Sequence, residues 1–272
     1  MESAQSLPSH ETVRVTPSKI DTWQECSRRF ARGERSKNSR QFQYSTKLAT
    51  GKAVHELFAR TNQLVLGGGA FPDISETIDR FWNASHFRTP EEAFEAKADA
   101  GSMLANHFDR LLHKRLTIVG YERFIATRPL RVNDRLLLVL SGKIDAIEDD
   151  GADTIIGQDY KTGEKLPTRE ELSQNLSTTV YHLLLRQLHP RASKIVIAQH
   201  LLSTGAVVSV SLTEEQVNVS KDEIRKFAIA LAEDPLMIGT SFQPTLCESC
   251  SWCPYRDSCP LHVTEVTENL PF

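Results

Sequence analysis

Two short apolar runs on either side of a turn constrain this chain more than any other stretch of its sequence. The runs lie at 144–147 and 154–157 and flank an Asp-Asp-Gly turn at 149–151. Apolar runs of this length around an Asp-Gly turn are typical of a β-hairpin. The sequence therefore predicts two paired strands, with Asp145 on the first and Asp-Tyr-Lys at the end of the second, at 159–161.

The ionisable side chains of this hairpin suggest chemistry. Residues two apart in a strand point to one side, so Asp159 and Lys161 place a carboxylate beside an ammonium. Asp145 and Asp159 are hard oxygen ligands suited to Mg²⁺ or Mn²⁺, which binds phosphate oxygens and lowers the pKa of a bound water. Lys161 would orient that water or stabilise charge on the phosphorus. The alternative is a surface hairpin with an Asp-Lys ion pair.

Composition and charge exclude several classes of protein. The chain has 272 residues, enough for one large or two small domains, with a formal net charge of −3. Binding to a polyanion must therefore come from local patches. The sequence shows no apolar run of the ~18–20 residues that cross a bilayer, no secretion signal and no phosphate loop of the G-x-x-x-x-G-K-[ST] type. We expect a cytoplasmic protein without membrane contact or an ATPase motor.

The N-terminal region combines a polar start with a basic segment. Residues 1–16 are aperiodic and are expected to form a mobile tail, and a short capped helix is predicted from Ser18 to Cys26. The basic segment that follows, 27–40, either contacts a phosphate backbone or forms a solvated face. The aromatic residues after this segment, Phe42 and Tyr44, either stack on bases or enter the core. The cations of the segment are Arg28, Arg29, Arg32, Arg35, Lys37 and Arg40.

Helical and strand periods divide the remainder of the chain. Helices are predicted at 51–64, 75–86, 91–115, from Thr168 to about His189 and from Thr213 to near Pro235, and strands within 118–132, 136–147, 154–163, 194–202 and 206–212. His55 lies at the edge of the first apolar stripe, where a histidine is either a metal ligand or a partly buried group. Glu122 is a third acid of the sheet, and the favoured interpretation is that it is simply exposed.

Cysteines cluster at the C-terminal end of the chain. Cys247, Cys250, Cys253 and Cys259 lie within thirteen residues, and Cys26 stands alone. Reduced thiols this close together favour a metal over disulfides. Either the four C-terminal cysteines bind it, or three of them do so with Cys26. Zinc prefers paired C-x2-C knuckles, whereas an iron–sulfur cluster tolerates irregular spacing and a remote ligand, and Cys26 would then staple the two chain ends together.

The motifs together resemble a known family, the PD-(D/E)XK nucleases of the RecB type that carry an iron–sulfur cluster. In chain order they are S-x-I-x-x-W-x-x-C-x-x-x-F ending at Phe30, G-x-x-x-H at 51–55, G-x-I-D at 142–145, D-Y-K-T-G at 159–163, Tyr181 in the next helix, and C-x2-C-x5-C from Cys250. Each motif is weak alone, but their occurrence together in the family's order is a strong signal. The resemblance covers nearly the whole chain, from Ser18 to Pro260.

This resemblance implies roles for particular residues. The implied metal ligands are His55, Asp145, Asp159 and the Tyr160 carbonyl, with Lys161 as the catalytic lysine. The implied ligands of a [4Fe-4S] cluster are Cys26, Cys250, Cys253 and Cys259, which leaves Cys247 as the spare. Tyr181, with Arg28 and Arg29, is expected to contact DNA. Ser177 stands where the family often has glutamine.

The resemblance also implies a fold and an activity. The expected fold is α/β, with a restriction-endonuclease-like core, a central mixed β-sheet flanked by helices, and a C-terminal cluster knot tied to the N-terminal helix. We expect a single domain at 17–272, divided at 17–45, 50–116, 117–213 and 214–262. The implied function is a Mg²⁺- or Mn²⁺-dependent DNA nuclease, an exonuclease on single strands, with a helicase, repair or CRISPR partner. The alternatives are a non-catalytic DNA- or partner-binding subunit and a zinc-stapled interaction protein.

Overall fold

A long central strand with neighbours along both edges organises the fold. The computed structural model describes residues 11–35 and 45–262. Its strands are β1 (Glu11–Val15), β2 (Thr117–Ala126), β3 (Leu130–Arg131), β4 (Leu136–Asp149), β5 (Thr154–Lys161), β6 (Lys194–Leu201) and β7 (Ala206–Val210). Among these residues they form one sheet in the order β1-β4-β5-β6-β7, and β2 and β3 also pair with β4. The β1/β4 and β5/β6 pairs are parallel and the others antiparallel, which confirms the predicted mixed sheet.

Most of the helices begin where the sequence carries capping side chains. They are α1 (Pro17–Glu25), α2 (Ser27–Arg35), α3 (Thr46–Leu64), α4 (Ile74–Phe81), α5 (Pro90–Lys114), α6 (Arg169–Gln174), α7 (Leu176–Leu188) and α8 (Glu214–Glu233). The capping boxes predicted at Thr168 and Thr213 are both present, each satisfying two backbone N–H groups of the first turn. Among the described residues, no helix is both apolar and long enough to span a membrane.

Helices flank the sheet, and two large apolar clusters form the core. One cluster joins α1, α2, α7 and α8 to the sheet through side chains such as Val180 and Phe227. The other joins α3 and α5 to it through Phe58 and Leu104. Each fully buried side chain of this size contributes about 1.5–3 kcal/mol to folding. The α/β arrangement agrees with the prediction from the sequence.

The polar tail is shorter than predicted. Residues 11–15 form β1, which pairs in parallel with β4 from Glu11 opposite Leu136 to Val15 opposite Leu140. Val15 is fully buried there, because alternation directs it into the apolar core. The prediction of a tail is therefore wrong for 11–15, while residues 1–10 lie outside the described residues, as do Lys37, Arg40, Phe42 and Tyr44.

Two predicted helices are interrupted. The helix predicted at 75–86 ends at Phe81, and a separate 3-10 turn follows at Ala84–His86. The helix predicted from Thr168 to His189 is broken at Asn175, which has extended backbone angles of φ −72° and ψ 126°. The Asn175 Oδ1 accepts a hydrogen bond from the Ser177 N–H at 2.9 Å, so a side chain that caps a new helix competes with continuation of the old one.

Candidate metal centre

The Asp145 side chain links β4 to β5 at the point where backbone hydrogen bonding between the two strands ends. The last backbone pair of this ladder before the site is Ala146 with Gln158, and Asp145 and Asp159 are the next residues of the two strands. The Tyr160 N–H donates to the Asp145 Oδ2 at 2.8 Å, so the carboxylate bridges the two strands where the ladder ends. The side chain is only 13% exposed, and its other oxygen, Oδ1, lies 3.4 Å from the His55 Nδ1.

The His55 imidazole reaches this carboxylate from α3. Its neighbours Val54, Leu57 and Phe58 are fully buried and fix that face of the helix against the sheet. Burial lowers the pKa of His55, but the hydrogen bond and charge of Asp145, with further negative charge nearby, raise it more, so the net shift is upward. The neighbouring carboxylates favour a proton on His55, and a divalent cation would replace that proton.

Glu122 completes the group and was underestimated from the sequence. The pairs of Tyr121 with Ala146 and of Arg123 with Ile144 bracket it, so Glu122 lies across from Asp145. Its backbone has a left-handed φ of 44°.

The ligand atoms of this group converge. One atom each of His55, Glu122 and Asp145 lies within 4.8 Å of the others, the spacing of a metal site. Glu122 is half-buried and forms an ion pair with Lys143, so the expectation that it is simply exposed is wrong. The alternation of side chains along β2 does not indicate that Glu122 binds a metal, because Glu122 approaches the other ligands only through the pairing of β2 with β4.

Asp159 and Lys161 form an ion pair beside this group. The Lys161 Nζ lies 2.7 Å from the Asp159 Oδ2, which also accepts a hydrogen bond from the Gln199 Nε2 at 3.2 Å. Burial raises the pKa of Asp159 more than Lys161 lowers it. Burial lowers the pKa of Lys161, but the nearby carboxylates raise it more, so the amine stays an ammonium. Asp159 is not one of the three residues whose ligand atoms converge.

The predicted Tyr160 ligand turns its side chain away from this site. The phenol is buried and accepts a hydrogen bond from the Asn62 Nδ2 at 2.9 Å, and Asn62 is in turn bonded to the His107 Nε2 at 3.0 Å. Only the backbone of Tyr160 reaches Asp145. The role of its carbonyl stays a prediction.

α1 and α7 approach the ion pair from its other side. The carboxyl of Asp21 is near Lys161, and burial raises its pKa to about 6 against the opposing effects of Ser177 and Lys161. The pKa of Tyr181 is raised by burial and by the charges of Asp159, Asp145 and Asp21. Ser177 is thus occupied with the α7 cap and with Asp21, and Asp21 is a residue that the sequence motifs did not single out.

A second cavity contains the cysteines. It is lined by Cys26, Cys247, Cys250, Cys253 and Cys259 together with arginines of α2. None of these thiols forms a disulfide. The Arg29 N–H donates to the Cys26 Sγ at 3.4 Å and the Cys247 N–H to the Cys250 Sγ at 3.4 Å. Among the described residues, no three cysteine sulfurs lie within 4.8 Å of one another.

The arginines predicted to contact DNA line this cysteine cavity. Arg28 and Arg29 both border it, and Arg29 forms an ion pair with Glu25 at 2.7 Å. Arg32 ties α2 to the C-terminal segment by donating to the Ser258 carbonyl at 2.8 Å. A DNA contact by Arg28 and Arg29 therefore stays a prediction.

Comparisons with known proteins bear on the family and the fold. The family model of the PD-(D/E)XK nuclease superfamily matches residues 14–260. A "putative exonuclease" from Eubacterium rectale has a similar crystal structure, with a TM-score of 0.50 and 13% identity over 94% of this chain and 93% of that one. The crystal structure of SSO0001 is also similar, with a TM-score of 0.40 and 15% identity over 92% of this chain and 86% of that one. None of the curated proteins matches the chain in sequence.

Proposed function

Because the chain belongs to the PD-(D/E)XK nuclease superfamily, we propose that it is a deoxyribonuclease that uses Mg²⁺ or Mn²⁺ and degrades single-stranded DNA from an end. The observation that carries the proposal is the convergence of His55, Glu122 and Asp145 beside the Lys161 ammonium. A surface hairpin with an ion pair explains neither the imidazole nor the third acid.

The donor set fits a divalent cation. Two carboxylates and one imidazole gather within 4.8 Å, and the imidazole favours Mn²⁺ more than oxygen ligands alone would. His55, Asp145 and Glu122 would hold the ion, and Asp159 and the Tyr160 carbonyl are the further ligands that the resemblance implies. When bound, such an ion supplies Lewis acidity toward a phosphate oxygen and lowers the pKa of a water ligand.

Lys161 contributes charge in this mechanism. Its pKa is raised, so it is an ammonium at neutral pH and a poor general base. Held at 2.7 Å from Asp159, it is positioned to stabilise negative charge that develops on the phosphate oxygens. Asp159 therefore orients the lysine in addition to any ligand role, and Tyr181 on α7 would bind the strand nearby.

The preference for single strands and for ends rests on the resemblance to RecB-type nucleases. Since the sequence carries no phosphate loop, this chain would need ends that are already unwound or a helicase partner. Such an activity suits DNA repair, recombination or defence, with a repair or CRISPR partner.

We extend the proposal to a [4Fe-4S] cluster held by Cys26, Cys250, Cys253 and Cys259. The five cysteines border one cavity without a disulfide, and backbone N–H groups point at two of the sulfurs, as they do around thiolate ligands. The sulfurs of a tetrahedral zinc site would lie about 3.8 Å apart, from a Zn–S bond of ~2.3 Å. Cys247 and Cys250 lie at this separation, 3.8 Å, but no three of the described sulfurs lie within 4.8 Å of one another, so the preference for a cluster over zinc rests on the resemblance. Brown colour with absorbance near ~400 nm in an anaerobic preparation tests the cluster against zinc.

The decisive experiment for the activity is digestion of end-labelled DNA. Single- and double-stranded oligonucleotides labelled at either end are incubated with Mg²⁺ or Mn²⁺ and no nucleotide. We expect the wild type to shorten single strands and Lys161→Ala to be strongly impaired. Binding without cleavage by the metal-loaded wild type would favour the non-catalytic subunit, and undiminished cutting by Lys161→Ala would refute the role of the lysine.

A further inference from the structure

Phe124 is an exposed aromatic residue next to the candidate metal centre. It lies on β2, two residues beyond Glu122, and its ring side chain is 62% exposed. Its partner across the strand pair is Lys143. The following residue, Ile125, is buried in the apolar core, so the strand alternates in the usual way at this point. Beside a centre that is proposed to bind a phosphodiester, this exposed aromatic face is a candidate contact for a base.

Phe124 and Lys143 lie on the same face as the metal-binding acids. Directly opposed residues of an antiparallel pair point to one side, with Cβ atoms about 4.5–5.5 Å apart. Lys143 is also two residues before Asp145 and forms an ion pair with Glu122, which fixes it on the face of the metal centre. Phe124 and Lys143 therefore form the cross-strand pair next to Glu122 and Asp145 on this face of the sheet.

A cleft of about 590 Å³ lies along this side of the centre. One wall is a single face of α3, and the other is formed by β2 and β4; the lining residues used here are Lys52, His55, Arg60, Tyr121, Glu122 and Lys143. Its size is that of a typical ligand cleft. Three cations border it, which suits the phosphates of a nucleic-acid backbone.

Glu56 partly offsets these cations, because hydrogen bonds with Asn83 and His86 and the charge of Arg60 lower its pKa and keep it a carboxylate. Its carboxylate accepts a hydrogen bond from the Asn83 Nδ2 at 2.9 Å and lies 3.0 Å from the His86 Nε2. The other acid, Glu122, belongs to the metal group. With a divalent ion bound there, the cleft as a whole is positively charged.

We infer that Phe124 is a stacking platform for an unpaired base next to the cleaved phosphate, while Lys143 and Arg60 contact the neighbouring phosphates. This inference rests on the proposed nuclease function and deepens it, because it names the residue that selects single strands. A base within a duplex stacks on its own neighbours and is not available to a side chain, whereas an unpaired base presents its face to an aromatic ring.

The test compares Phe124→Ala with a matched control. Phe94→Ala removes an equally large ring that is 74% exposed on α5, and Phe124→Trp restores an aromatic face. All three are made in a Lys161→Ala background to slow cleavage, and fluorescence anisotropy measures binding of a labelled single strand. The same backbone without bases serves as a second probe.

We expect Phe124→Ala to bind the single strand about tenfold more weakly, and Phe94→Ala and Phe124→Trp to bind it as the parent does. The base-free backbone should bind to the parent and to Phe124→Ala equally, because only stacking has been removed. Unchanged binding by Phe124→Ala, or the same loss on the base-free backbone, would overturn the inference.

Cleavage separates this inference from the proposed function. If the protein with Lys161 cuts DNA but Phe124→Ala keeps the full preference for single over double strands, the inference fails and the nuclease stands. If no DNA is cut with either metal while binding still depends on Phe124, the proposed function fails and the stacking platform stands.

Discussion

The metal centre and the cysteine segment hold their ligands by different means. At the metal centre, Asp145 bridges two strands through the Tyr160 N–H, and His55 stands on a helix of nineteen residues. The cysteine segment has only 3-10 turns, at Glu248–Trp252 and Arg256–Ser258, and hydrogen bonds from Arg32 tie it to α2. The sheet therefore shapes the first site before any metal binds, whereas the second lacks such a framework and would gain much of its rigidity from the proposed cluster.

The comparison predicts, first, that Asp145→Asn abolishes activity without loss of stability. The amide oxygen still accepts the Tyr160 N–H, but a charged ligand is lost, which costs about 4 kcal/mol of transition-state stabilisation, or ~1,000-fold in rate. The rate of cleavage of labelled single strands with Mn²⁺ and the Tm measure the two effects. Asp222→Asn on α8 is the control, and a near-normal rate for Asp145→Asn would contradict the proposed ligand set.

Cysteine variants should show the opposite behaviour. Cys259→Ser removes a proposed cluster ligand, and a loss of about 3 kcal/mol would lower the Tm by ~6–12 °C and bleach the absorbance near ~400 nm. Cys247→Ser is the matched control in the same cavity and should keep both the colour and the Tm. Equal effects of the two substitutions would show that Cys247 is also a ligand.

Acid should destabilise the core in which His107 of α5 and His200 of β6 are buried. Burial lowers the pKa of His107, and it lowers the pKa of His200 to about 3. Between that value and about 6.5 the unfolded chain binds protons that the folded protein excludes, so the free energy of unfolding falls as the pH falls. Each histidine contributes about 1.4 kcal/mol per pH unit.

His200→Leu tests this dependence. Urea unfolding between pH 5 and pH 7 should give a mean slope that is smaller than that of the wild type by about 1 kcal/mol per pH unit. An unaltered slope in His200→Leu would mean that this histidine is not held neutral.

The smallest effect is expected for Asp21→Asn. The carboxyl is charged above its pKa of about 6 and supports the Lys161 ammonium through space. Its loss should lower kcat at pH 8 by up to about fivefold, with KM unchanged. At pH 5.5, where the wild-type carboxyl is largely protonated, the two proteins should cut at nearly equal rates. A constant ratio at both pH values would exclude a charge effect.

The elements of this fold were predictable where the signal is local. The turn at 149–151 with its two strands, and the capping boxes at Thr168 and Thr213, depend on residues close in sequence. Prediction failed where a local pattern was ambiguous. Asn175 is an acceptable helix residue in sequence, but in the structure it caps α7 and ends α6. Val13 and Val15 are too few to predict β1 without the edge of β4 beside them.

The candidate site also has a part that the local sequence predicts and a part that it does not. Asp145, Asp159 and Lys161 are separated by short distances along one hairpin, and that spacing alone suggests a metal and a phosphate. Glu122 and Phe124 carry no such pattern. They acquire meaning because β2 pairs with β4 in the register that sets Glu122 opposite Asp145 and Phe124 opposite Lys143.

By itself the amino-acid sequence determined most of the segments that become strands and helices and which ionisable groups the hairpin carries, since both follow from side-chain periodicity and turn chemistry. Only the tertiary structure decided which groups meet. His55 comes from α3 and Glu122 from β2, and each reaches Asp145 through the packing of that element on β4. Strand register and helix docking set these distances, and neither is encoded in the spacing of residues along the chain.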